Sequence, residues 1–268
     1  MIMDGRVLSK KILEEVRSNV SKGLKIRIEA IAYEEDKESI VYFNSIKRNA
    51  EKVGISFNLR IIEGEKIMET IESLNGDDSV NGIIVGRPFP KGVTNEMVSL
   101  SLDPDKDIDC VTSQNLGLLN FGVERLAPAT PKGALDLLEY HGVEIRGRNV
   151  LVINRSVTVG RPLSAMLLNR DATVTIAHSK TSNIKSLIDE SDIIFLAVGK
   201  PGYLRSSSLK GHKTIVDIGI NVVEGKVVGD FEPDVENNDF AYTPVPGGVG
   251  TVTSAEILRN AVSIAQNQ

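Results

Sequence analysis

The strongest constraint on this chain is one stretch, Asn149-Val-Leu-Val-Ile-Asn-Arg-Ser-Val-Thr-Val-Gly-Arg-Pro162, together with the residues after it as far as Thr181. Residues 149–153 form a short, nearly continuous β-branched and aliphatic run, which predicts a strand buried on both faces. A polar turn comes next, then Gly160, then Pro162 where a first helical turn tolerates a missing N–H. Residues 163–169 continue in a helical pattern, and Ala172-Thr-Val-Thr-Ile-Ala177 reads as a second strand. Strand, turn, helix and strand in so few residues make a βαβ unit, the phosphate-binding half of a dinucleotide fold. Free N–H groups at the start of its helix are the expected anion site.

The glycines depart from the usual G-x-G-x-x-G. Asn154 stands where the first glycine would be, and Gly160 is the only glycine of the turn. Spacing alone leaves flavins, phosphosugars or no ligand open. A site selective for NAD places Asp or Glu at the end of the second strand, where it grips the ribose hydroxyls. This chain has His178-Ser-Lys-Thr181 there, with Arg155 in the preceding turn. A cation and a hydroxyl in place of a carboxylate suit a ribose 2′-phosphate, so the cofactor reads as NADP. Arg155 and Lys180 would be equally at home as solvated loop charges.

A chain of 268 residues is comfortable as two domains. The net charge of −5 argues against a nucleic-acid or anionic-membrane surface. A lone cysteine, Cys110, excludes an internal disulfide framework and suits a reducing cytoplasm. Three widely separated histidines suggest no His/Cys metal cluster, and no apolar run reaches membrane-spanning length.

Ahead of the βαβ unit the pattern alternates between helix and strand. Residues 1–20 read as an amphipathic helix, 24–33 as a strand, and 39–53 as a helix capped by Ser39 and closed by Gly54. A strand at 55–62, a helix at 66–74 and a strand at 82–85 complete a first α/β domain with a parallel sheet. Pro88-Phe-Pro90 and Asp103-Pro-Asp-Lys-Asp-Ile-Asp-Cys110 come next as loops. Thr130-Pro-Lys-Gly133 opens a helix, with Thr as cap and Pro at the first position. Buried strands are expected at 192–198 and 214–217, a rigid Pro- and Gly-rich loop at 243–250, and a closing helix from Ser254 to about Ala265.

Seven segments in this order resemble the methylenetetrahydrofolate dehydrogenase/methenyltetrahydrofolate cyclohydrolase family, over nearly the whole chain. They are Ser39-Ile-Val-Tyr42, Asp105-Lys-Asp-Ile-Asp109, Thr130-Pro-Lys-Gly133, Arg155-Ser156 with Gly160, His178-Ser-Lys-Thr181, Asp217-Ile-Gly-Ile-Asn221 and Thr243-Pro-Val-Pro-Gly-Gly-Val-Gly250. The resemblance implies an α/β fold of two domains with a cleft between them. The folate-binding catalytic domain would span 1–122, completed by a C-terminal helix at 252–268, and a Rossmann NADP-binding domain would span 123–251. It further implies a reduced-folate substrate and a homodimer joined through the Rossmann domains. Tyr42 would stack on the folate p-aminobenzoyl ring and Asp109 would accept from the pterin amino edge. Without the resemblance, Tyr42 reads as a core tyrosine and Asp109 as a turn residue among several acids. Pro246, Gly247 and Gly248 would close over the substrate. Asn154, Arg155, Ser156, Gly160 and Ser179 would hold the cofactor phosphates, and Ile220 would face the nicotinamide through its backbone.

The chain departs from the family where the folate chemistry lies. The family has Tyr-x-x-x-Lys, but Ile46 stands at the lysine position and Lys47 is one residue beyond it. The family has Val-Gln-x-Pro-x-Pro, and here the segment is Val85-Gly-Arg-Pro-Phe-Pro90. Cys110 replaces a glycine, and Thr251-Val252 replaces Pro-Met. Dehydrogenation requires chiefly that two bound molecules be aligned. Hydrolysis of the methenyl cation needs proton transfer, typically worth ~10²–10⁴-fold. Lys47 is the first candidate to supply it, although one helical step turns a side chain by roughly 100°. Arg87 is the second, able only to stabilise charge. The expected activity is NADP-dependent oxidation of 5,10-methylenetetrahydrofolate to the methenyl form, with a weaker hydrolysis to 10-formyltetrahydrofolate. The alternatives are a dehydrogenase without effective hydrolase, an enzyme for a modified pterin carrier, and a non-catalytic nucleotide-binding module.

Overall fold

The computed structural model describes residues 1–234 and 240–268, which divide into two compact units. One comprises Lys10–Ala129 with Ser254–Gln268, and the other Met1–Ser9 with Thr130–Thr253. The chain crosses from one to the other inside helix α1 (Arg6–Ser21), at the start of α6 (Ala129–Tyr140) and inside α9 (Val249–Ala265).

The first unit is built on β1 (Arg27–Tyr33), β2 (Ser56–Ile62) and β3 (Gly82–Val85), joined by α2 (Lys37–Val53) and α3 (Ile67–Asn75) and followed by α4 (Asn95–Ser101) and α5 (Ser113–Asn120). The strands are all parallel, in the order β2-β1-β3, as helical crossovers require. Ile31, Ile83 and Val85 of the sheet meet Ile67, Ile71 and Leu74 of α3, all buried. Each such side chain taken from water stabilises the unit by ~1.5–3 kcal/mol. Helix α2 buries Phe43, Ile46, Ala50 and Val53, a stripe at helical spacing. Its cap is Asp36 rather than the expected Ser39: the Ser39 N–H donates to the Asp36 carboxylate at 3.0 Å, which frees the Ser39 hydroxyl for another partner. Gly54 ends the helix at φ 83°, as anticipated.

The second unit contains β4 (Asn149–Ile153), α7 (Gly160–Leu168), β5 (Thr173–Ala177), α8 (Ile184–Glu190), β6 (Ile193–Leu196), β7 (Leu204–Arg205), β8 (Lys213–Asp217), β9 (Asn221–Val223), β10 (Lys226–Val228), β11 (Phe231–Glu232) and β12 (Phe240–Tyr242). Its main sheet is parallel in the order β12-β8-β6-β4-β5. Strand order reverses at β4, with β5 on one side and β6 on the other, and such a reversal opens a crevice at the carboxyl ends. Those ends are level: Ile153 pairs with Ala177 and with Leu196, and Leu196 with Asp217. The loops after β4, β5, β6 and β8 therefore leave the sheet side by side.

Several boundaries differ from the sequence reading. The helix expected over 1–20 begins only at Arg6, because Met3 donates to the Tyr242 carbonyl at 2.8 Å and Ile2 bridges Tyr242 in parallel. Helix α6 already includes Ala129, so Thr130 and Pro131 lie within its first turn, not at its cap. Helix α9 starts at Val249, five residues before the expected point. The β9–β10 hairpin was not anticipated; Glu224 and Gly225 turn it at φ 50° and 77°, the pairing of signs that a twisted hairpin prefers. Among the described residues, no helix is long and apolar enough to cross a membrane, and no group of three His, Cys, Asp or Glu could hold a metal ion.

Candidate active site

In the first unit the site is assembled from α2, the loop after β3 and the segment 105–110. Tyr42 is half-buried on α2, its ring tilted 38° to that of Phe43 with centroids 5.9 Å apart. Burial and the charge of Asp109 both raise its phenol well above the ordinary value, so it acts as a neutral ring and hydrogen-bonding group. Asp109 is driven up to about 6 by loss of solvent, opposed by Arg87 and reinforced by the nearby Asp107. Asp107 is fully buried and accepts from the N–H groups of Val111 and Thr112 and from the Asn115 amide, which fixes the turn that presents Asp109.

Arg87 completes this half. Its Nη1 lies 3.3 Å from Asp109 Oδ2, its guanidinium sits 5.0 Å from the Phe89 ring centroid, and its Nε reaches Asn95 Oδ1 at 3.4 Å. Its backbone is gripped from both sides by Ser39, whose Oγ accepts from the Arg87 N–H at 3.0 Å and donates to the Arg87 carbonyl at 3.1 Å. Gly86 makes that grip possible. A Cβ at position 86 would stand 2.8 Å from Ser39 Oγ, Ser39 Cβ and Asp36 Oδ2.

The two candidate lysine positions lie apart on α2. Ile46 is wholly buried, one turn along from Tyr42. Lys47 instead shares an outward face with Val41, Asn44, Arg48 and Glu51. Among the described residues, no hydrogen bond or ion pair joins Lys47 to Tyr42 or Asp109, and a step of one residue carries it around the helix from Ile46.

In the second unit, the β4 turn is organised by Asn154. Its Oδ1 accepts from Ser156 and Gly160 at 2.7 and 3.1 Å, and its Nδ2 donates to the Ala197 carbonyl at 2.6 Å. Asparagine at the first glycine position thus ties the β4 loop to the β6 loop. Gly160 has no alternative, because a Cβ there would lie 2.2 Å from the Asn154 carbonyl oxygen. The expected free N–H groups of the α7 first turn are absent: Gly160 donates to Asn154, Arg161 to the Ser156 carbonyl at 3.0 Å and Leu163 to Val159, while Pro162 has no N–H. N–H groups of this turn without a partner among the described residues include those of Arg155, Val157 and Thr158, ahead of the helix. The open donors of this turn therefore lie in the loop before the helix and not at its first turn.

Arg155 and Ser179 emerge at the same level from neighbouring strands, both exposed, and the Arg155 guanidinium pairs with no carboxylate among the described residues. Beside Ser179, the His178 N–H donates to Thr181 Oγ1 and the Lys180 N–H lies 3.2 Å from His178 Nδ1. This donor set, with two cations, a hydroxyl and no acid, fits a 2′-phosphate.

Two buried carboxylates, Asp217 of the quoted segment 217–221 and Asp230, which sequence reasoning did not single out, brace the neighbouring loops. Asp217 accepts from Gly219, Asp230 and Phe231, yet burial raises it to about 6, with the Asp230 charge adding to the effect. Asp230 accepts from Val198, Gly199, Lys200 and the Asn221 amide, joining the β6 and β8 loops. The only sequence trace of Asp230 is one acid between the apolar runs 227–228 and 231. Ile220 is largely exposed on this rim. Gly247 adopts φ 108° and accepts from the Gly5 N–H at 2.8 Å, while a Cβ on Gly248 would stand 2.5 Å from the Pro244 carbonyl oxygen. Pro246 is exposed at the crest of that loop, after a cis peptide bond.

Residues 3–109 match the profile of the tetrahydrofolate dehydrogenase/cyclohydrolase catalytic domain, and residues 128–268 match that of its NAD(P)-binding domain. The chain belongs to the tetrahydrofolate dehydrogenase/cyclohydrolase family. The bifunctional protein FolD of Thermotoga maritima is 39% identical, covering 100% of this chain and 99% of its own. The bifunctional FolD structure from Campylobacter jejuni superposes with a TM-score of 0.94 at 35% identity, covering 100% and 99% of the two chains. The Trypanosoma brucei dehydrogenase-cyclohydrolase, solved with NADP and an inhibitor, gives 0.92 at 29% identity, covering 100% and 97%. Within this tetrahydrofolate dehydrogenase/cyclohydrolase, Cys110 takes φ 54° where the family has glycine, a left-handed backbone that a side chain rarely adopts. Its thiol is buried against the Leu126 carbonyl and raised by burial and by Asp107 and Asp109, so it is no nucleophile.

Proposed function

We propose that this chain oxidises 5,10-methylenetetrahydrofolate to the methenyl form with NADP and hydrolyses that product, more slowly, to 10-formyltetrahydrofolate. The observation that carries the reading is the Tyr42–Asp109 pair, retained in a chain that follows the family from end to end. Tyr42 offers a neutral aromatic face for the p-aminobenzoyl ring, and Asp109 offers a charged acceptor to the pterin amino edge. The Val157 and Thr158 N–H groups and Ser156 would receive the cofactor phosphates, with Arg155 and Ser179 on the 2′-phosphate. The cofactor, when bound, supplies the hydride acceptor. Asp230 and Asn154 hold the rim loops in place, so the protein's contribution to this step is alignment.

Hydrolysis is the slower activity because Ile46 brings no ammonium group to the folate. A reducing cytoplasm suits the lone buried Cys110. A homodimer through the second unit is consistent with the exposed apolar residues Val222, Val223 and Val227 on the β9–β10 hairpin. Purified protein given NADP and methylenetetrahydrofolate should form reduced nicotinamide. No reduced nicotinamide would reject the enzyme reading, and equal use of NAD would reject the cofactor assignment.

A further inference from the structure

The residue that this chain adds beside its folate site is Arg87, and its guanidinium is held at three points, by Phe89, Asn95 and Asp109. Phe89 lies under it, Asn95 takes its Nε, and the two hydrogen bonds to Ser39 clamp its backbone. The result is a fixed cation 3.3 Å from Asp109 Oδ2, with both side chains about a quarter exposed. Asp109 Oδ1 has no partner among the described residues, so one oxygen is engaged and the other is open. We propose that Arg87 is a positioning residue for the reduced folate: by holding Oδ2 it keeps the Asp109 carboxylate charged and turns Oδ1 toward the pterin amino edge.

Gly86 and Arg87 belong together in this device. Without a side chain at 86, Ser39 and Asp36 close to within 2.8 Å of the Cβ position, and Ser39 can then clamp the next residue. An arginine suits the place because its planar fork can stack on Phe89 and donate to a carboxylate at once, which a lysine cannot. The charged and titratable groups facing Asp109 are Arg87, Asp107, Tyr42 and Cys110. Among them Arg87 alone favours the ionised carboxylate. Removing it should raise the pH at which Asp109 takes up a proton, above the present value of about 6.

This assignment rests on the folate reading, and its test separates the two. The full-length protein, Arg87→Ala and Arg87→Lys are compared at saturating NADP across the Asp109 titration range, with the NADP KM and melting temperature recorded for each. Arg87→Ala should raise the folate KM about tenfold, the low end for losing a hydrogen bond to a charged group, with kcat nearly unchanged. The acid limb of kcat/KM should move to higher pH, and Arg87→Lys should restore part of both effects. The NADP KM should not change. A folate KM and acid limb unmoved in Arg87→Ala would overturn the proposal. So would a lysine variant no better than alanine with a melting loss that tracks the activity, which is the pattern of a purely structural role. If the unsubstituted protein forms no reduced nicotinamide, the activity reading falls by itself. Calorimetric binding of the reduced folate then decides the role of Arg87: a tenfold loss in Arg87→Ala supports it and an unchanged affinity overturns it.

Discussion

Asp230→Asn is the sharpest single test of how the cofactor rim is held. The Asp230 carboxylate is fully buried and accepts four hydrogen bonds: Val198 and Gly199 N–H at 2.5 and 3.0 Å on Oδ2, and Lys200 N–H and Asn221 Nδ2 at 2.8 and 3.0 Å on Oδ1. An asparagine of the same shape keeps one oxygen and turns the other into a donor. In either orientation, two of the four donors then face an NH₂ group. Each orphaned buried donor costs about 1–3 kcal/mol, so the pair costs about 2–6 kcal/mol. Against a total stability of roughly 5–15 kcal/mol this is large, and it corresponds to a melting point lower by about 4–24 °C. The released segments, 198–200 and 221, lie at the carboxyl ends of β6 and β8, so the NADP KM should rise by about tenfold or more while the folate KM changes little. Thermal melting with steady-state kinetics on the purified variant reads both. A melting point within about 2 °C of the original, with an unaltered NADP KM, would refute the assignment of Asp230 as the brace.

Arg155→Ala should raise the NADP KM by about tenfold or more and leave the NAD KM nearly unchanged, because a charge-assisted contact to the 2′-phosphate is lost; kinetics with both cofactors check this. Lys47→Ala should leave methenyltetrahydrofolate hydrolysis, corrected for the uncatalysed rate, within about twofold of the original, since Lys47 faces outward with Asn44, Arg48 and Glu51. A collapse of hydrolysis with dehydrogenation intact would restore Lys47 to the mechanism. Gly160→Ala should abolish NADP binding or prevent folding, as its Cβ would meet the Asn154 backbone at 2.2 Å; binding and melting measurements distinguish the two.

What the sequence disclosed was set by what depends on pattern alone. The strand at 149–153, Gly160 and Pro162 were legible because burial on both faces and a tight turn leave few residue types. The Gly54 stop was legible because only a residue without a side chain takes φ 83° cheaply. The cap of α2 was not, because Asp36 and Ser39 are both good caps three residues apart, and the choice between them depends on what Ser39 does elsewhere. The pairing of residues 1–3 with 240–242 was hidden for a related reason. The two segments are more than two hundred residues apart in the chain, and no local pattern announces such a pairing.

The folate half shows how substitutions at neighbouring positions can be read only as a group. Taken singly, Ile46 removes a base and Gly86 removes an amide, and both point to a weakened site. In the fold, the absent side chain at 86 lets Ser39 grip Arg87, and Arg87 in turn pairs with the one acid that the family pattern retains. The chain still carries a cation beside Asp109, on a different element from Ile46, and one that cannot exchange a proton. A fixed charge serves a step that needs only alignment, and it serves poorly a step that needs a proton delivered. That division is why dehydrogenation should persist at full strength here while hydrolysis lags behind it.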